Sequence, residues 1–143
     1  MIIGIVSGYF NPLHYGHLEY INEAKKLSDR LICIINSDHQ VALKGSQPFM
    51  DEKHRAKIMS NLKSVDEVFI SIDKDKTQCE SLKYLRIKYQ NDDLFFFNSG
   101  DRKDGNLDLS ESVVCKKINI KTQTINLPKI YSSSSLLNSP GKS

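Results

Sequence analysis

The stretch Gly8-Tyr9-Phe10-Asn11-Pro12-Leu13-His14-Tyr15-Gly16-His17 holds two glycines, a proline and two histidines within ten positions. An apolar run, residues 2–6, precedes it, and a segment with helical spacing follows: Leu18, Ile21, Ala24 and Leu27 share one face. A strand, a tight polar loop and a helix start are therefore expected in that order. In an open parallel sheet that junction is where ligands bind, beside free N–H groups at a helix N-terminus.

Outward from this junction the same alternation repeats. Further short apolar runs occupy residues 31–35, 68–72, 94–97 and, more weakly, 122–125. Runs of this length without polar alternation suit strands covered on both faces. Between them Ile58, Met59 and Leu62 define a second helix with Asp51 as its N-cap; Leu82, Leu85 and Tyr89 define a third; Leu109, Val113, Val114 and Ile118 define a fourth. Residues 37–48 read as a polar loop carrying Lys44 and Gly45. Repeated strand–helix–strand order implies right-handed crossovers and a parallel sheet. The expectation is one α/β domain over residues 1–138, five parallel strands with helices on both faces, and a flexible tail at 139–143.

Composition narrows the class. The chain has 143 residues, one domain's worth, with 39% hydrophobic and 26% charged residues, which excludes a disordered chain. No apolar run approaches the roughly 20 residues of a membrane span. Net charge is +3, from 20 basic and 17 acidic residues scattered along the chain, so no basic stripe marks a nucleic-acid partner. The mild positive excess suits phosphorylated small molecules. Cys33, Cys79 and Cys115 are odd in number and include no Cys-x-x-Cys pair, consistent with a reducing, cytoplasmic setting.

The glycine spacing excludes a Gly-x-Gly-x-x-Gly dinucleotide fingerprint, and the terminal Gly141-Lys142-Ser143 lacks the upstream glycine of a P-loop. Two histidines three apart can share a metal ion, but no nearby Cys, Asp or Glu supplies a third ligand. Instead, residues 8–17 resemble the Gly-x-Phe-[Asp/Asn]-Pro-x-His-x-Gly-His motif of the nucleotidyltransferase superfamily, and especially its cytidylyltransferase-like branch, with the glycerol-phosphate and heptose-phosphate enzymes. Asn36-Ser37-Asp38, Val65-Asp66-Glu67-Val68, Asn98-Ser99-Gly100-Asp101-Arg102 and Ile130-Tyr131-Ser132-Ser133-Ser134 are similar to later motifs of that branch. The implied fold is Rossmann-like, of the adenine nucleotide α-hydrolase type.

The resemblance implies the following site. His14, His17 and Lys44 would be catalytic. Gly8, Tyr9, Phe10, Asn11, Gly16, Gly100, Asp101, Lys129, Ser132, Ser133 and Ser134 would join the histidines in binding the nucleotide. Asp38, Lys44, Arg55 and Arg102 would face the acceptor, with helix or loop anchoring the other role open to Arg55 and Arg102. Gly8 would let the backbone approach the nucleotide. Asp66 reads as structural. The implied reaction joins a nucleoside monophosphate to a phosphorylated small alcohol or sugar and releases pyrophosphate, with Mg²⁺ on the triphosphate and a homodimeric enzyme. Likeness of the segments at 36–38, 65–68 and 100–101 favours CTP as donor; ATP, or a nucleotide-binding protein without turnover, is the alternative. Two departures bear on the acceptor rather than the reaction class: Lys129 stands where glycerol-phosphate enzymes carry arginine, and Asn11 where aspartate is commoner.

Overall fold

The computed structural model describes residues 1–99 and 108–127. They form β1 (Ile2–Gly8), α1 (Tyr15–Lys26), β2 (Arg30–Ile35), α2 (Asp38–Leu43), α3 (Glu52–Ser60), β3 (Glu67–Ile70), α4 (Cys79–Lys88), β4 (Asp93–Ser99), α5 (Leu109–Lys117) and β5 (Lys121–Ile125). The sheet has the order β3-β2-β1-β4-β5, and every pairing is parallel. The order reverses between β1 and β4, so a crevice opens at their carboxyl ends.

Alternation along the strands divides the core in two. Val6, Leu31, Cys33, Ile35 and Phe97 point to the face covered by Ile21 and Ala24 of α1 and Met59 of α3. Ile3, Ile5, Ile32, Ile34, Leu94 and Phe96 point to the face covered by Leu82 and Leu85 of α4 and Cys115 of α5. This two-sided cover is why the strands read as unbroken apolar runs. Burial in these layers raises the Cys33 thiol far above its ordinary range and pushes Cys115 up to about 12. Gly4 marks a close approach of layers: a Cβ there would lie 2.1 Å from Ser28 Oγ and 2.8 Å from the Phe97 ring.

Three elements differ from the sequence expectation. Residues 38–43 form α2 rather than loop, because Ser37 Oγ accepts from Gln40 N–H while Gln40 Oε1 accepts from Ser37 N–H. This reciprocal pair is a capping box. β3 ends at Ile70, two residues early. Ser71 N–H still bonds Ile35 C=O, but its hydroxyl and the Ile72 N–H turn toward Asp73 and Ser81, leaving Ile72 exposed. In α5 the buried residues are Glu111 and Cys115, whereas Leu109 is 78% exposed and Val113 53%. The helix is turned so that Glu111 accepts from Gln78 N–H and Cys115 enters the core. Asp51 caps α3 as expected, accepting from His54 N–H at 2.9 Å.

The β2–β3 edge is clipped by carboxylates. Asp66 accepts from Lys25 Nζ at 2.7 Å and from Leu31 N–H at 2.8 Å. Partial burial opposes its ionisation, but these donors outweigh burial and hold its carboxyl below the usual range. Burial likewise opposes Glu67, and Tyr89, Lys88 and Arg30 outweigh it. Both pKa values are lowered on folding, so each contributes stability above its unfolded value, near 4, and loses it as pH falls through the folded value. Urea unfolding is expected to show Asp66→Asn less stable than wild type at pH 7, with the gap closing below about pH 4. A gap independent of pH would show that the carboxylate charge is not what holds the edge.

Candidate active site

A cavity of about 540 Å³ lies over the carboxyl ends of β1, β2 and β4, lined by the loop after β1, the start of α1, Asn36, Lys44 and the end of β4. That volume suits a nucleotide-sized ligand.

The loop shapes one wall. Phe10 takes a left-handed backbone, φ 48°, and turns its ring into the core under Gly8. A Cβ at Gly8 would lie 2.8 Å from Phe10 Cζ, so the glycine accommodates this ring as well as opening the backbone to the cavity. Asn11 is a brace. Its Oδ1 accepts from Phe49 N–H at 2.6 Å and Met50 N–H at 3.3 Å, and its Nδ2 donates to Gln47 C=O at 3.2 Å. An aspartate could not make the last bond, which gives asparagine here a structural reason and directs its side chain to the 47–50 loop.

The histidines form a pair at the start of α1. His14 is the N-cap, and its Nδ1 accepts from Gly16 N–H at 3.1 Å. His17 Nδ1 accepts from His14 N–H at 3.0 Å. The rings stack with centroids 3.7 Å apart, and Phe10 supports His17 edge-on at 4.9 Å. With Nδ1 accepting in both, each neutral ring carries its proton on Nε2. Two N–H donors and the positive end of a helix thus meet at the cavity wall, a setting for a phosphate whose charge grows during reaction. Lys44, at the end of α2, lines the same cavity with Nζ 4.2 Å from the centre of the Tyr9 ring.

Arg55 and Asp38 lie elsewhere. The Arg55 side chain is fully buried and donates to the carbonyls of Met50, Tyr9 and Asn36, at 2.9, 2.9 and 2.6 Å, and to Asp38 Oδ1 at 2.8 Å. Neither residue lines the cavity. Of the two roles open to Arg55, the geometry supports anchoring, with Asp38 as its counter-ion. Gly100, Asp101, Arg102, Lys129, Ser132, Ser133 and Ser134, and the tail at 139–143, lie outside the described residues.

The cavity also takes in Lys76, Gln78 and Glu111, which belong to no sequence motif, and Asn98, which opens the segment at 98–102 with no role implied for it there. They arrive from the β3–α4 connection, the end of β4 and the first turn of α5.

A family model described as cytidylyltransferase-like matches residues 5–136. The chain belongs to the cytidylyltransferase-like family. Within reach of this family, the chain is 33% identical to an FAD synthase of Thermococcus sibiricus over 131 residues, 90% of this chain and 82% of that protein. It is 35% identical to an FAD synthase of Thermoplasma acidophilum over 75 residues, about half the length of each. A bifunctional protein HldE of Rhodopseudomonas palustris is 44% identical over 70 residues, 14% of its length. A crystal structure of a lipopolysaccharide core biosynthesis protein from Thermoplasma volcanium superposes with a TM-score of 0.66 at 27% identity, covering 90% of this chain and 97% of that one. The family and its Rossmann-like fold agree with the sequence expectation; these relatives do not support its preference for CTP. Among the described residues no helix is long and apolar enough to cross a membrane.

Proposed function

We propose that this chain is an adenylyltransferase, joining AMP from ATP to a phosphate monoester, with FMN the foremost acceptor, and releasing pyrophosphate. The observation that carries nucleotidyl transfer is the His14–His17 pair, which lines the cavity at a helix N-terminus with both Nδ1 atoms accepting backbone bonds and so leaves each neutral ring its proton on Nε2. The choice of adenylyl over cytidylyl rests on chemistry. FAD is FMN joined to AMP through a pyrophosphate link, so an enzyme named FAD synthase needs an adenylyl donor, and such an enzyme matches 90% of this chain.

An oxygen of the acceptor phosphate attacks the α-phosphorus in line, the bond to the β-phosphate oxygen breaks, and pyrophosphate leaves with the electron pair. The acceptor is already anionic, so no protein nucleophile is needed and catalysis is positioning and charge stabilisation. His14 and His17 donate to the α-phosphate as it passes through five-coordination. Lys44 reaches from above Tyr9 to the phosphates. Lys129, Ser132, Ser133 and Ser134 remain proposed partners of the β- and γ-phosphates, Gly100 and Asp101 of the nucleoside, and Arg102 of the acceptor. Among the described residues no cluster of three metal-ligating side chains occurs, so Mg²⁺ would be held by the triphosphate oxygens, where it offsets their charge. A homodimer is proposed on the resemblance alone.

The test is pyrophosphate release with Mg²⁺ from ATP and CTP, each paired with FMN, phosphorylated sugars and phosphorylated alcohols. The expected result is release with ATP and FMN that His14→Ala and His17→Ala each lower by roughly 10²–10³-fold. Release from CTP with an alcohol or sugar phosphate, and none from ATP, would overturn the adenylyl reading.

A further inference from the structure

Two buried polar atoms in the cavity have no hydrogen-bond partner: Gln78 Oε1 and Asn98 Nδ2. Gln78 is 2% exposed and Asn98 5%. Buried carboxamides are ordinarily paired, and their neighbours are. Asn36 Nδ2 donates to Gln40 Oε1, and Gln40 Nε2 donates to the carbonyls of Asp75 and Thr77.

The Asn98 side chain and the Gln78 backbone are held by groups other than the unpaired atoms. Thr124 donates to Asn98 Oδ1 at 3.3 Å, which orients the amide and leaves its N–H₂ over. The Gln78 backbone is fixed at both ends, N–H to Glu111 Oε2 at 2.8 Å and C=O to Leu82 N–H at 2.8 Å. Gln78 occupies the N-cap position of α4 but makes no side-chain cap bond. Asp73 does that work, accepting from Glu80 and Ser81 N–H at 2.7 and 2.9 Å. The Gln78 carboxamide is thus not needed for the helix that it begins.

Their position separates them from the phosphate chemistry. Asn98 follows Leu94 and Phe96 in the two-residue alternation of β4, so it points to the α4–α5 face. The histidines begin α1 on the opposite face. Of the residues proposed for the donor nucleotide, Gly8 to Asn11 and the two histidines lie from the end of β1 to the first turn of α1, Lys44 ends α2, and the rest follow β4 and β5 in the chain; none lies on α4 or α5. The α4–α5 face is left to the acceptor.

We infer that Gln78 and Asn98 form the acceptor-recognition wall, reading a neutral planar edge that offers an N–H to Gln78 and a carbonyl to Asn98, as the imide of a flavin ring does. The inference rests on the adenylyl-transfer reading with a flavin acceptor, and its test is separable from that reading. A site built to bond a polar group discriminates strongly against a ligand lacking it, because its own buried groups are then left unpaired.

FMN and N3-methyl-FMN, which lacks the imide donor, are titrated into the wild-type protein by flavin fluorescence. FMN is also titrated into Gln78→Leu, Asn98→Leu and the isosteric Gln78→Glu and Asn98→Asp. The expected result is wild-type binding of FMN, weakened roughly 10–100-fold by the methyl group and by each leucine variant. In turnover, the KM for FMN rises while kcat and the KM for ATP stay within about threefold. N3-methyl-FMN binding as tightly as FMN would overturn the wall, without any variant having to fold. So would a wild type that does not bind FMN, or variants that shift only the KM for ATP. Imide-dependent binding without pyrophosphate release from ATP would support the wall and overturn the adenylyl reading instead.

Discussion

His17→Ala is expected to lower turnover by roughly 10²–10³-fold, the typical loss of one preorganised donor to a developing oxyanion. The imidazole has two separable jobs. Nδ1 closes the start of α1 by accepting from His14 N–H, and Nε2 carries the proton at the cavity wall. Alanine removes both, and the lost cap bond alone destabilises by about 1 kcal/mol. His17→Gln divides them. Glutamine is a normal capping-box residue at this third helical position and can accept from His14 N–H, yet it has no ring to stack on His14 or to rest on Phe10. Thermal unfolding of the glutamine variant should therefore return toward wild type while turnover stays low. A folded alanine variant within a few-fold of wild-type turnover would remove His17 from the chemistry and leave it a helix cap.

How much of this was legible follows from where each signal lies. The strands were readable because both faces of the sheet are covered, and the loop at 8–17 because its spacing is local. The capping box that builds α2 was also present as Ser37-Asp38-His39-Gln40, and reading the segment as loop overlooked it. α5 misled for a physical reason. Its exposed side carries Leu109 and Val113, and its buried side carries a carboxylate that serves Gln78, so the apolar period points the wrong way. Gln78, Asn98 and Glu111 were invisible as a group because they come from a loop, a strand end and a helix start that meet only once the sheet is assembled. The donor base was the least legible. Likeness of short segments favoured CTP, whereas no residue that reads the base could be derived, and a relative matching 90% of the chain is named for a product containing adenine. Asn11 shows the opposite case: a departure from the commoner aspartate that the structure explains by one bond, to Gln47 C=O.

Arg55→Met is expected to cost about 3–5 kcal/mol of stability, since each buried acceptor left unmet costs about 1–3 kcal/mol. One guanidinium ties together the carbonyls of Tyr9 after β1, Asn36 after β2 and Met50 before α3, and closes on Asp38. Methionine fills much of the volume but leaves three carbonyl acceptors unmet, that of Asn36 buried and those of Tyr9 and Met50 part-buried, and such losses are what make removal of a buried donor expensive. Arg55→Lys should recover little, because an ammonium is a point donor and cannot span the planar fork that reaches four oxygens. Asp38→Asn should be mild, about 1 kcal/mol or less, since that carboxylate is 37% exposed and water screens the pair. The pattern distinguishes anchoring from substrate binding. If Arg55 instead met the acceptor phosphate, Arg55→Met would unfold near the wild-type denaturant midpoint, the acceptor KM would rise, and lysine would restore part of it. Loss of stability without rescue by lysine identifies Arg55 as the pin that fixes the loop of Tyr9, and through it the floor on which Lys44 and the histidine pair are set.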